Sequence, residues 1–167
     1  RPAPALFCHR PSLHMSEDWR ARVQAFAKAQ GQMWPDVLTA LTALYCQRMA
    51  GAAEAVVGVP YMGRLGRASA RPTATVMNVL PLRVAATPGQ PLAEFIAQLA
   101  KAQIQARRRG RYRSEQLRRD LGLLGGQRRL NGALINVQPF YKKLVLPGVD
   151  CALQSLGTGP IDGITIG

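Results

Sequence analysis

Ala55-Val56-Val57-Gly58-Val59-Pro60-Tyr61-Met62-Gly63-Arg64, followed by Met77-Asn78-Val79-Leu80-Pro81-Leu82-Arg83, is the part of this chain whose reading decides the fold. Ala55 to Val59 is short, rich in β-branched residues and stopped by Pro60, the pattern of a buried strand. A loop rich in Gly and Arg runs from Tyr61 to Arg71, and Thr73 to Val84 reads as a second, longer strand. Within it Pro81 has no N–H to give a ladder, which implies an edge position, a bulge or a strand end.

Upstream, two helices are expected. Ser16 is a helix N-cap followed by Glu17 and Asp18, and Trp19, Val23, Phe26 and Ala27 recur at helical spacing as far as about Gln30, before Gly31. The second helix starts at Pro35, carries Val37, Leu38, Leu41, Leu44, Tyr45 and Met49 as a wide apolar face, and ends at Gly51. Downstream, Pro91 opens a third helix with Leu92, Phe95, Ile96 and Leu99 as its stripe, and its last turns merge into a basic run. A short helix from Ser114 to about Leu121 ends at Gly122, and Gly125-Gly126 marks a turn. Strands are then expected at Ala133 to Phe140, Leu144 to Leu146, Cys151 to Leu156 and Ile161 to Ile166. Together these predict one mixed α/β lobe over residues 1–167, without internal repeats.

The composition agrees with a packed core, since 47% of the 167 residues are hydrophobic and 19% are charged. The chain begins Arg1-Pro2-Ala3-Pro4, with no leader and no apolar run long enough for a membrane span, and reads as a piece of a longer cytoplasmic polypeptide. Cys8, Cys46 and Cys151 are too scattered for a metal site or a disulfide set, and are expected as reduced thiols. Lys and Arg outnumber Asp and Glu by 22 to 9, a net charge of +13 that suits nucleic acid, an anionic membrane or an acidic protein equally. The excess is concentrated between Lys101 and Arg129, where ten basic residues face only Glu115 and Asp120.

Catalytic residues are hard to find. The only histidines, His9 and His14, lie in the Pro-rich stretch before the first helix, where a solvated loop histidine is the plain reading. No zinc-protease, dithiol, serine-hydrolase or P-loop motif occurs. Gly63-Arg64-Leu65-Gly66-Arg67 is similar to a phosphate-cradling loop but lacks the terminal Lys-Ser/Thr and the third glycine of the dinucleotide fingerprint. Its glycines then serve a sharp strand-to-strand connection.

The two opening segments resemble, in that order, the C-terminal lobe of nonribosomal peptide synthetase condensation domains. The likeness continues through Arg111-Tyr112-Arg113-Ser114-Glu115-Gln116-Leu117, Asn131-Gly132-Ala133-Leu134-Ile135-Asn136-Val137-Gln138-Pro139-Phe140 and Gly159-Pro160-Ile161-Asp162. It spans nearly the whole chain, and within the family it is nearest to enterobactin-type siderophore synthetases. The resemblance implies a chloramphenicol-acetyltransferase-like lobe, with a mixed sheet flanked by helices. It implies a partner N-terminal lobe, a tunnel between the two, and acidic carrier-protein domains whose phosphopantetheine arms deliver thioesters for amide-bond formation. An adenylation domain is expected in the parent chain, and no directly bound cofactor or metal.

The family's His-His-x-x-x-Asp-Gly motif has no counterpart here, so no catalytic residue is expected in this lobe and it should be inactive alone. Asn78 matches a motif position on the tunnel-facing strand, where its amide either meets the reacting groups or is satisfied by neighbouring backbone. Gly58, Pro60, Arg64 and Arg83 match structural positions, the two arginines by pairing with carboxylates or carbonyls. Asp162 matches a position near the interlobe surface, although Gly163 and Ile164 depart from the family pattern. The basic run, with Arg107, Arg108, Arg109 and Arg111, is either a docking face for an acidic carrier protein or a solvated surface.

Two readings from other classes stand beside this one. A basic nucleic-acid-binding module would use the same charge, but Tyr112 is the only aromatic residue between Phe95 and Phe140 to stack on bases. A stand-alone acyltransferase using coenzyme-A thioesters would need His9 or His14 as its base.

Overall fold

The side chain of Ser16 accepts the Trp19 backbone N–H at 3.2 Å and starts α1 (Glu17–Ala29), as its cap position requires. The structure, a computed structural model, describes residues 11–64, 73, 76–124, 129–138, 146–149, 151 and 164–166. The second helix, α2 (Trp34–Met49), begins one residue before Pro35, which occupies the first turn, where a missing N–H is not needed. Next come β1 (Ala55–Tyr61), β2 (Asn78–Val84), α3 (Leu92–Arg108) and α4 (Ser114–Asp120), followed by β3 (Ala133–Ile135) and β4 (Ile164–Ile166). Pro91 caps α3 instead of lying within it.

Four strands among the described residues form a mixed sheet in the order β2-β1-β3-β4, with β1 and β2 antiparallel and β1, β3 and β4 parallel. Along β2 the even positions Asn78, Leu80, Leu82 and Val84 are buried while Arg83 is exposed, the period-two pattern of a strand with one covered face. That face packs against α2 and α3. Val37, Ala40 and Ala43 of α2 meet Phe95, Ile96 and Leu99 of α3 over Val57, Leu82, Val84 and Ile135 of the sheet. Ile96, Ile135, Val37, Val57 and Val84 are the largest side chains wholly buried, each contributing about 1.5–3 kcal/mol relative to exposure.

Pro60 does not end the first strand as expected. The Val56 carbonyl accepts the Gly132 N–H at 2.8 Å, so Val56, Gly58 and Pro60 direct their backbone polar groups toward the β3 side. Among the described residues the short β3 meets β1 only where Gly58 pairs with Leu134, so Pro60, opposite Val79 of β2, has no ladder bond there to miss. Pro81, paired with Gly58 on the end strand β2, faces its nitrogen away from β1. Of the edge position, bulge or strand end expected for it, the edge position is the one found among the described strands.

The second strand begins at Asn78, not Thr73, because its pairing with β1 ends where Tyr61 meets Asn78. The third ends at Ile135, matched to the three residues of β4, although the Asn136 N–H still donates to the Ile166 carbonyl at 2.8 Å. Leu146 forms a single antiparallel bridge with Val149. The remainder of the strands expected around Leu144 and Cys151, the turn at Gly125-Gly126, and the residues His9 and Asp162 lie outside the described residues. No described helix is long and apolar enough to cross a membrane.

Candidate functional site

Where β1 ends and β2 begins, the chain converges with the linker between α3 and α4. Asn78, 8% exposed, donates from Nδ2 to the carbonyls of Gly110 at 2.9 Å and Tyr112 at 2.8 Å. Its Oδ1 accepts the N–H groups of Val79 at 2.9 Å and Ser114 at 3.1 Å. A carboxamide offers two donors and one oxygen with two lone pairs, so every bonding position of this side chain is used. Of the two roles expected for Asn78, contact with neighbouring backbone is the one this geometry supplies. Arg113, the N-cap of α4, makes no side-chain cap. Asn78 satisfies the helix's first N–H from the neighbouring strand.

Two glycines permit this convergence. A Cβ on Gly110 would stand 2.4 Å from the Tyr61 ring, so the linker can approach that ring this closely only without a side chain. Gly63 has φ of 65°, and a Cβ there would meet the Val76 carbonyl oxygen at 2.4 Å. The two ends of the β1–β2 connection therefore touch at Gly63 and Val76. Arg64 follows, half-buried. Gly58 is buried, and a Cβ on it would lie 2.7 Å from the Asn131 amide nitrogen.

The basic run divides into two groups. Arg107 turns back along its helix, donating from Nη2 to Asp36 of α2 at 3.2 Å and to the Gln103 side-chain oxygen at 3.1 Å. It ties the end of α3 to the start of α2. Arg108, Arg109 and Arg111 are exposed and pair with no described carboxylate. Asp120 is also engaged, accepting from the Tyr112 hydroxyl and, at 2.7 Å, from Gln116 Nε2. The Tyr112 hydrogen bond, then that of Gln116, pulls the Asp120 carboxyl below its ordinary range, and the same bond to Asp120 raises the Tyr112 phenol. Asp36 is taken up by Arg107, and Asp120 keeps its charge within bonds to neutral partners, so the three outward arginines have no described carboxylate within salt-bridge distance.

On the opposite face of the sheet, Arg83 donates from Nε to Glu54 Oε2 at 2.8 Å and from Nη2 to the second oxygen. This two-pronged bond holds Glu54 below the usual carboxylate range. Among the described residues no three of His, Cys, Asp or Glu gather into a possible metal site, and His14 is exposed ahead of α1.

Sequence reasoning passed over two buried glutamines. Gln47 donates to the carbonyls of Ala53 at 2.7 Å and Ala86 at 3.2 Å, and accepts the Ala86 N–H at 2.9 Å. Gln103 lies beneath Arg107. The available signal was position, for Gln103 continues the Phe95, Ile96 and Leu99 stripe and Gln47 follows Ala43 by one turn.

The family model described as "Condensation domain" matches residues 2–151. The chain is 37% identical over 163 residues to an isonitrile lipopeptide synthase of Streptomyces coeruleorubidus, covering 98% of this chain and 11% of that protein. It is 41% identical over 133 residues to a dimodular nonribosomal peptide synthase of Bacillus subtilis, covering 80% of this chain and 6% of the relative. With enterobactin synthase component F of Escherichia coli K12 it shares 32% identity over 143 residues, covering 86% and 11%. The chain thus spans a small part of the length of each of these relatives.

Among solved structures it is similar to VibH, a nonribosomal peptide synthetase condensation enzyme, with a TM-score of 0.74, 29% identity, and coverage of 87% of this chain and 34% of that one. It is also similar to the first condensation domain of the CDA synthetase, with a TM-score of 0.66, 32% identity, and coverage of 75% and 29%.

Proposed function

Since the chain belongs to the condensation-domain family of nonribosomal peptide synthetases, we propose that it is the C-terminal lobe of a domain that forms amide bonds between carrier-bound thioesters. The fold is the acyltransferase-like one of that family. In the proposed reaction the acceptor amine attacks the donor thioester carbonyl; a C–N bond forms, the C–S bond breaks, and the donor's phosphopantetheine thiol leaves. The base belongs to the companion N-terminal lobe, with its His-His-x-x-x-Asp-Gly motif. This lobe contributes a wall of the tunnel, and Asn78 supports that wall by fixing β2 to the α3–α4 linker rather than by touching the reacting atoms. Gly58, Pro60, Arg64, Arg83 and Asp162 serve as its structural positions. Similarity to enterobactin synthase component F supports a siderophore or other secondary-metabolite peptide as the product. The work takes place in the cytoplasm, beside an adenylation domain of the parent chain.

The observation that carries the docking part is the division of the basic run. Arg108, Arg109 and Arg111 face outward and form the proposed surface for an acidic carrier protein, while Arg107 anchors the helix beneath them. Charge reversal of all three in the parent protein should slow amide formation from carrier-loaded substrates by about tenfold or more. The same substrates on small soluble thioester mimics should react at the unaltered rate. Equal rates with carrier-loaded substrates would remove these arginines from the docking surface, and absence of any amide product in the unaltered parent would overturn the catalytic reading.

A further inference from the structure

Gln103 is the one described carboxamide on the buried face of α3 whose bonding is incomplete. It is 3% exposed, and its Oε1 accepts from Arg107 Nη2 at 3.1 Å. A guanidinium has donors only, so the side chain must present its oxygen there, and exchanging the amide's two ends would set donor against donor. The amide nitrogen is thereby forced to the other side, where Nε2 is buried and meets no acceptor among the described residues. Gln47 and Asn78, the other two buried amides among the described residues, use both ends of theirs. A buried N–H without an acceptor forfeits the solvation it had in the unfolded chain, so the fold favours whatever supplies an oxygen.

Beside Gln103 lies a small cavity between the sheet and α3, lined by Val59, Pro60 and Tyr61 of β1, Leu80 and Leu82 of β2, and Ala106 and Arg107 of α3. The space open to a water's centre is about 10 Å³, enough for one water and too little for a carboxylate or a larger group. Besides Gln103, the polar side chains on its walls are those of Tyr61 and Arg107, the latter 43% exposed. We infer that this cavity is a site for a single ordered water, whose oxygen accepts from Gln103 Nε2 while its protons reach solvent past Arg107. Such a water extends the chain of hydrogen bonds from Asp36 through Arg107 and Gln103 into the space beneath β1 and β2.

A high-resolution crystal structure of the protein tests this directly. A water-sized peak at hydrogen-bonding distance, about 2.7–3.2 Å from Gln103 Nε2, is expected, and it should vanish in Gln103→Met, which keeps the length and loses the amide. An empty cavity, a protein carbonyl bonded to Nε2, or a peak that persists in the Met variant would each overturn the site. In solution, the Gln103 side-chain amide protons of the unaltered protein should show magnetization transfer from a long-lived water, independent of whether any variant folds. Absence of that transfer would overturn it equally.

Discussion

At the Ala55–Val84 end of the β1–β2 pair, Gln47 rises from α2 and bonds the backbone of Ala53 and Ala86. At the Tyr61–Asn78 end, Asn78 reaches out from the strand itself and bonds Gly110, Tyr112 and Ser114 in a different part of the chain. Both ends use a carboxamide, which offers two donors and a two-lone-pair acceptor on one side chain, as unpaired backbone at the end of a ladder requires. What each end holds differs. Gln47 closes the sheet over the apolar core, whereas Asn78 fixes the linker that carries Arg111 and follows Arg108 and Arg109. Damage at the first end should therefore be a matter of stability alone, and damage at the second should also displace charged surface.

The largest effect is expected at the second end. Asn78→Leu leaves four backbone groups without their partner and should cost about 3–4 kcal/mol in denaturant unfolding. Asn78→Asp would set a carboxylate against two carbonyl oxygens, raising its folded-state pKa. That variant should gain stability as pH falls through the raised value, because the protonated acid regains a donor; stability flat across that range would contradict the assigned donors. Gln47→Leu breaks three bonds inside one packed region and should cost about 2 kcal/mol, with carrier-dependent rates unchanged in the folded protein. If its effect matched that of Asn78→Leu on both readouts, the contrast between the ends would fail.

Gly110→Ala, which must displace the Tyr61 ring, should cost about 1–2 kcal/mol in the same unfolding measurement. The smallest effect belongs to the exposed pair of Arg83 and Glu54. The Glu54 pKa is lowered in the folded state, so whatever the pair contributes is complete above the ordinary value of 4.5 and is lost as pH falls through the lowered one. Arg83→Gln should move the Glu54 titration, followed by magnetic resonance, back up toward 4.5. An unmoved titration would show that the bidentate contact does not persist in solution.

Much of the fold was legible where local chemistry decides it. Ser16, Pro35 and the alternation along β2 act through their own neighbours, and each does what its residue type requires. Pro60 was misread as a stop because a proline ends a strand only if its nitrogen faces a partner, and that depends on where β3 falls short. The arginines show the same limit. In sequence Arg107 and Arg108 are alike, and only Asp36, brought close by the packing of α2 on α3, distinguishes the anchored residue from the outward one. Asn78 stood out through its motif, yet its partners lie beyond α3, at a distance no spacing rule could span.

The late arrival of β3 has a consequence for synthesis. Helices α1 to α3 and the strands β1 and β2 all leave the ribosome before Leu134, which fills the place beside Gly58. Until then β1 carries an open edge, with the Val56 carbonyl waiting for Gly132, and an open edge invites pairing with other nascent chains. Pro60 stands on that edge with its nitrogen outward and cannot donate to an intruding strand. The residue read as interrupting the strand thus makes that edge a poorer template for an added strand.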